Sequence, residues 1–175
     1  VRFRDMGVVY RHTVEAFLDQ VARRRNLFTT EELVHFGVSP ARDTPIEAWD
    51  RFLRATAARL GPGKGEAEAL ELTGREMVRG YLQGLVGRSV MMVAKLLGPR
   101  RMLQRLPENY RTADNVMDCT ATVRGDREVL IQFNTVYGLP TYVRGVIAET
   151  MDTMGVKHRI VVSDTLQTVI DSVVV

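Results

Sequence analysis

A chain of 175 residues, 45% hydrophobic and 26% charged, is long enough for one domain with a substantial core and too short for two ordinary ones. Such usage is that of a folded globular protein rather than a disordered one, and no apolar run approaches the ~18 residues of a membrane-spanning helix. The net charge of +3 is unevenly placed. Between Arg75 and Arg111 eight cations (Arg75, Arg79, Arg88, Lys95, Arg100, Arg101, Arg105 and Arg111) meet only Glu76 and Glu108, so this segment carries +6 and the remainder −3. A basic stretch can meet an acidic partner, anionic lipid or nucleic acid, but no aromatic interleaving accompanies this one, and a solvated helix face is the plainer reading. The single cysteine, Cys119, has no internal partner, and no signal peptide opens the chain, so a soluble cytoplasmic protein is expected. The chain opens on Val1 rather than Met, which leaves room for residues upstream.

Residues 6–10 read as a short strand or as the apolar lead-in to a helix over His12–Arg25. Val14, Phe17, Leu18 and Val21 form the buried face of that helix, and three arginines close its C-terminal end. Thr29 or Thr30 opens a short helix with Glu31 and Glu32 in its first turn and Gly37 beyond its end. After a turn-rich loop at 39–45, Thr44 reads as the N-cap of a third helix, with Pro45 first and Glu47 third in a capping box. Its apolar side is Ile46, Trp49, Phe52, Leu53, Thr56 and Leu60.

The GPGKG run at 61–65 has neither the GxxxxGK[ST] spacing nor the preceding strand of a phosphate loop, and reads as a helix stop and turn. Helix is expected from Glu66 to about Leu97, broken near Gly87, with Val78, Tyr81, Leu82, Leu85, Met92, Val93 and Leu96 as its buried stripe. Met91 and Met92 read as core filler. Gly80 and Gly84, four residues apart, predict the close approach of another element. Gly98 stops this helix and Pro99 restarts a shorter one reaching Leu106.

In the second half, Met117–Arg124 and Glu128–Asn134 form two strands around a GDRE turn. Pro140 and Gly155 bracket a helix whose apolar residues recur at three- and four-residue spacing. Arg159–Ser163 and Thr168–Val174 form two further strands joined by the DTLQ turn. This order predicts an α+β fold, with N-terminal helices packed on a four-stranded antiparallel sheet of ββαββ order. A single domain over 1–175 is expected, its helical part at about 8–107 and its sheet part at about 115–175.

No motif carries chemistry. His12, His35 and His158 fall in different elements, with no HxxxH, HExxH or CxxC, so no metal site is expected. His158, between Lys157 and Arg159, is expected at the surface. No serine sits in a nucleophile elbow. Two scattered sets remain as alternatives. Tyr110, Asp114, Asn134 and Tyr137 flank the mouth of the sheet and could assemble an enzyme site. Arg101 and Arg105, at four-residue spacing on one helix face, could bind an anion or an acidic partner.

From Trp49 onward the chain resembles a known family. TGREMVRGYLQGLVGR at 73–88, KLLGPRRMLQRLPENYRTADN at 95–115, and the set Phe133, Asn134, Pro140, Gly145 and Val146 are similar to an uncharacterised paralogous family of small proteins expanded in myxobacteria. That resemblance covers roughly 7–175 and implies no activity. The order of long helices, hairpin, helix and hairpin also resembles the superfamily of haem–nitric-oxide-binding, four-vinyl-reductase and TRAPP-type domains. It implies a pocket for an apolar molecule between helices and sheet, or a filled core with an interaction surface. Haem sensing in that group needs a proximal histidine ahead of the sheet and a YxSxR arrangement. Residues 66–107 contain no histidine and 132–139 lack that spacing, so no cofactor is expected.

The expectation is thus a non-enzymatic cytoplasmic sensor or scaffold module, homodimeric, acting through protein contacts and binding a small apolar ligand. Its expected contact residues are Arg101, Arg105, Tyr110, Asn134 and Tyr137, and neither nucleic acid nor membrane is an expected partner.

Overall fold

The computed structural model describes residues 7–125, 127–137, 139–162 and 169–174. Strand β1 (Val8–Val9) pairs antiparallel with β2 (Thr44–Pro45). Helix α1 (Arg11–Phe17) continues into a π-helical segment, Leu18–Arg23, and buries Val14, Phe17, Leu18 and Val21 as the spacing predicts. Helix α2 (Thr30–Phe36) carries a full capping box: the Thr29 hydroxyl accepts from the Glu32 amide, and Glu32 accepts from the Thr29 amide. Gly37 ends it at φ 74°, where a Cβ would be strained.

Thr44 does not cap the next helix. Its backbone pairs with Val9, the Ile46 amide donates to the Gly7 carbonyl, and α3 (Ile46–Leu60) starts behind Pro45 with no side-chain cap. Strand pairing satisfies backbone groups that the local capping signal would have claimed, so the tertiary contact overrides it. The apolar side of α3 is buried as expected except at Leu60, which is half-buried, with Trp49 and Phe52 packed around Phe17.

Helix α4 (Glu66–Tyr81) crosses α8 (Pro140–Thr153) at closer range than side chains permit. A Cβ on Gly74 would stand 2.2 Å from the Tyr142 carbonyl oxygen, and one on Gly145 would stand 2.1 Å from that of Glu71. An ion cluster locks the crossing. Arg79 donates to both carboxylate oxygens of Glu149 at 2.8 and 2.9 Å, and Arg75 donates to Glu149 at 3.2 Å and Asp152 at 2.7 Å. Glu149 is buried, so its charge needs these partners. Two cations of the basic stretch therefore hold the fold. Gly80 also makes a close approach, to the Gln20 carbonyl, whereas a Cβ on Gly84 would meet only the Tyr81 carbonyl oxygen, at an ordinary 3.5 Å.

The long helix expected from Glu66 breaks at 82–84 rather than near Gly87, and α5 (Leu85–Leu97) restarts with its phase reset. Among its residues of described burial, Gly87, Met91 and Ala94 are buried. The residues expected in the stripe point outward instead: Leu85 is 75% exposed and Leu96 84%, with Met92 and Val93 also exposed. Helix α6 (Pro99–Gln104) stops short of Leu106, and α7 (Leu106–Arg111) follows. Pro107 explains the break, since it has no amide to donate back along a continuous helix.

Strands β3 (Cys119–Arg124) and β4 (Glu128–Phe133) form the expected hairpin, with Gly125 in its turn at φ 69°. Strand β4 also pairs antiparallel with β6 (Val169–Val174), and β6 with β5 (His158–Val162). The DTLQ turn lies outside the described residues. The α+β class holds. One apolar cluster surrounds Phe17, Phe52 and Leu70, and a second surrounds Ile131, Phe133 and Ile147; Tyr142 packs against both. His158 is not the surface residue expected, because its side chain is only 11% exposed and its Nδ1 lies 3.1 Å from the Val156 carbonyl oxygen.

The crossing gives a direct test. Gly74→Ala and Gly145→Ala each drive a methyl group into backbone, so each is expected to cost about 3 kcal/mol, at the upper end of ordinary overpacking. A lowered urea midpoint with an unchanged slope checks this.

Candidate functional site

A cavity of about 820 Å³ lies between the helical half and the sheet half. Its walls come from α1 (Thr13, Ala16), α3 (Trp49, Leu53), α4 (Met77, Tyr81), α5 (Met91, Ala94, Leu97), α6 (Met102) and α8 (Tyr142, Val146). The 112–117 and 136–139 segments complete it with Asp114, Met117, Val136 and Tyr137. The lining is mostly apolar, and the volume is that of a site for a drug-sized molecule, roughly 300–1,000 Å³. Met91 is thus a wall of a cavity and not simply core filler, while Met92 faces outward.

Polar groups converge at one side of this space. Asp114 is 6% exposed, and its Oδ1 accepts from the Val116 amide at 2.8 Å and the Met117 amide at 2.5 Å. Burial raises its carboxyl above the ordinary 3.8, and the Met117 and Val116 amides partly offset that. The Tyr137 hydroxyl is buried and has no hydrogen-bond partner among the described residues. Burial first, then the charges of Asp114 and Glu47, raise its phenol. Tyr137 also holds φ 50°, a left-handed backbone that costs a non-glycine residue about 1–3 kcal/mol. Burial likewise raises the phenols of Tyr110 and Tyr142.

Of the residues singled out in the sequence, the structure brings Arg105, Tyr110, Asp114 and Tyr137 to the cavity. Tyr110 stands edge-on to Phe133 with ring centroids 5.1 Å apart. Asn134 lies elsewhere: its Oδ1 accepts from the Asp118 and Thr135 amides and its Nδ2 donates to the Val116 carbonyl, each at 2.8 Å, so it clamps the end of the β3–β4 hairpin. Arg101 is exposed and outside the cavity, and Arg105 falls at the junction of α6 and α7 rather than one turn along the same helix. The wall residues of α3, α4 and α5 escaped the sequence reading, since an apolar residue facing a void has the same periodicity as one facing a core.

His12 is the histidine among the lining residues. It is exposed, stacks on Tyr10, and its Nε2 lies 2.7 Å from the Thr112 carbonyl oxygen. Cys119 is outside the cavity, 3% exposed, and its thiol is pushed up to about 11, chiefly by burial. No group of three or more potential metal ligands occurs among the described residues, and no helix among them is long and apolar enough to cross a membrane.

This arrangement of elements is the fold of H-NOX domains. An H-NOX protein from S. oneidensis in the Fe(II)NO ligation state matches with a TM-score of 0.68 at 10% identity, covering 95% of this chain and 99% of that one. An oxygen-binding H-NOX domain related to soluble guanylate cyclases matches at 0.66 and 10% identity, covering 94% and 93%. An unliganded Fe(II) H-NOX protein from K. algicida matches at 0.64 and 12% identity, covering 95% and 96%. The chain itself belongs to the family described as Protein of unknown function (DUF2378), matched over residues 8–169. No curated protein matches its sequence significantly.

Asp114 can be tested as a structural residue first. Asp114→Ala leaves two backbone amides without their acceptor and is expected to cost about 1–3 kcal/mol, whereas Asp114→Asn keeps the acceptor oxygen and the fold. The buried charge sets the pH dependence. Because the folded carboxyl titrates above its unfolded value, wild type gains stability as acid protonates it toward pH 3.8. Any advantage of Asp114→Asn in thermal melts is therefore largest near neutral pH and narrows below it.

Proposed function

We propose that this protein is a non-enzymatic sensor module that takes a small, mainly apolar molecule into the cavity and reports it through protein contacts made by α5. The observation that carries this reading is the two-sided character of α5. Its residues Met91, Val93, Ala94 and Leu97 line the cavity, while Leu85, Met92 and Leu96 on its outer side are exposed. A helix with apolar side chains on two sides is ordinarily buried on both. A ligand on one side and a protein on the other supply that burial, and one helix then couples the two events.

In this reading the strand pairings β3 with β4, β4 with β6 and β6 with β5 act as one four-stranded sheet backing the cavity. The ligand is not haem. The relatives of known structure include Fe(II) proteins, but the donors here do not suit an iron porphyrin. The one imidazole in the lining is exposed and engaged by a carbonyl, and Arg105, also exposed, is the lining cation available to haem carboxylates. The outer face of α5 serves self-association. A two-fold antiparallel pairing centred on α5 brings Arg88 and Lys95, which have no ion-pair partner among the described residues, up to the same cations of the other copy. Such a dimer tightens with salt, because repulsion is screened while apolar burial remains.

Light scattering at micromolar concentration is expected to give a dimer strengthened by added salt. Leu96→Glu is expected to give a monomer with an unchanged thermal melt, since Leu96 is 84% exposed. A monomeric wild type overturns the self-association. Native mass spectrometry of gently purified protein is expected to show a bound small molecule, and a clean apo mass together with failure to bind any apolar probe overturns the ligand reading.

A further inference from the structure

We infer that the cavity selects by charge: it takes a neutral or cationic molecule whose apolar body carries an alcohol or amine head, and it rejects carboxylates and phosphates. The inference rests on the proposed ligand reading and names the class of ligand. Its basis is which polar residues belong to the wall of the space. Asp114 is almost fully buried, and only its Oδ1 is occupied, by two backbone amides; Oδ2 accepts no hydrogen bond among the described residues. The Tyr137 hydroxyl is buried and has no partner among the described residues. Both groups line the same cavity, and the Asp114 charge is felt at the Tyr137 phenol.

An orphaned hydroxyl in an apolar wall costs stability, as does the left-handed backbone at Tyr137. Two such costs at one residue mark a place where a ligand group completes the hydrogen bonding. The sign of the preference follows from Asp114. The one lining cation is Arg105, which is exposed, so an anionic head inside would meet a carboxylate and no buried counter-charge. An ammonium gains Asp114 Oδ2 as an ion-pair partner, and a hydroxyl can donate to Asp114 while accepting from Tyr137. The bulk of the ligand then packs against Trp49, Leu53, Met77 and Met91.

Four probes of one shape test the idea by calorimetry or competition: 2-methylnaphthalene, 2-naphthylmethanol, 2-naphthylmethylamine and 2-naphthoate. Wild type is expected to bind the alcohol and the amine about tenfold tighter than the carboxylate. Asp114→Asn is expected to weaken the amine about tenfold and to narrow the gap to the carboxylate, leaving the hydrocarbon unchanged. Tyr137→Phe is expected to weaken the alcohol about fivefold, with hydrocarbon binding kept and the melting temperature equal or higher, because the deleted hydroxyl has no protein partner to lose. A carboxylate bound as well as the amine, or head-group preferences that survive both substitutions, overturns the charge selection while the cavity reading stands. Binding of none of the four overturns the cavity reading and this inference with it.

Discussion

Helices α4 and α8 meet backbone to backbone at Gly74 and Gly145, and the walls of the cavity are positioned by that contact. Neither glycine can carry a Cβ without entering a carbonyl of the other helix. The approach is possible because Arg75 and Arg79 from one helix reach Glu149 and Asp152 on the other, so the charge that the crossing buries is neutralised within it. With these helices fixed, Met77 and Tyr81 of α4 and Tyr142 and Val146 of α8 all face one space, which α1 and α3 close on the other side. An open void of this size is costly, since its lining forgoes the dispersion contacts of a packed core. Its presence beneath a rigid crossing is the physical reason to look for an occupant.

Helix α5 stands apart from this frame. It is anchored through Gly87, Met91 and Ala94, and the methyl group of an alanine at position 87 would strike the Tyr81 carbonyl oxygen at 2.0 Å. Its remaining apolar side chains are divided between the cavity and solvent. Two sets of partners are thus needed to cover one helix. This connects a ligand site to a contact surface without requiring the α4–α8 frame to move. A ligand can shift the helix only by the difference in its affinity for two arrangements, and the exposed outer side of α5 offers little packing to resist such a shift.

How much of this could be read from the sequence depended on the range of the interaction. The start of α2 at Thr29 or Thr30, the Gly37 stop, the β3–β4 hairpin and the helix behind Pro140 are set by residues within a few positions of one another, and each was expected near its observed place. Long-range contacts were mostly not. Gly80 was read as a close-approach position and does approach the Gln20 carbonyl, but Gly84 does not, and the α4–α8 crossing uses Gly74 and Gly145, 71 residues apart. Thr44 carried a capping signal that strand pairing overrode. The apolar stripe was carried unbroken through 82–84, so the outward residues of α5 were assigned inward. In the candidate site, Tyr110, Asp114 and Tyr137 were picked out and line the cavity, while Asn134 proved a backbone clamp. The positive φ of Tyr137 and its orphaned hydroxyl leave no trace in residue type or spacing.

The claim at the centre of this account is that α5 is the wall between a ligand cavity and a contact surface, and hydrogen exchange tests it most directly. The amides of Leu85–Leu97 should exchange faster than those of α4 and α8 in the free protein. Saturation with a cavity-filling hydrocarbon such as 2-methylnaphthalene should protect them selectively, while the crossing around Gly74 and Gly145 stays as it was. Protection that is uniform across the chain, or absent from α5 when the hydrocarbon is bound, would contradict the account.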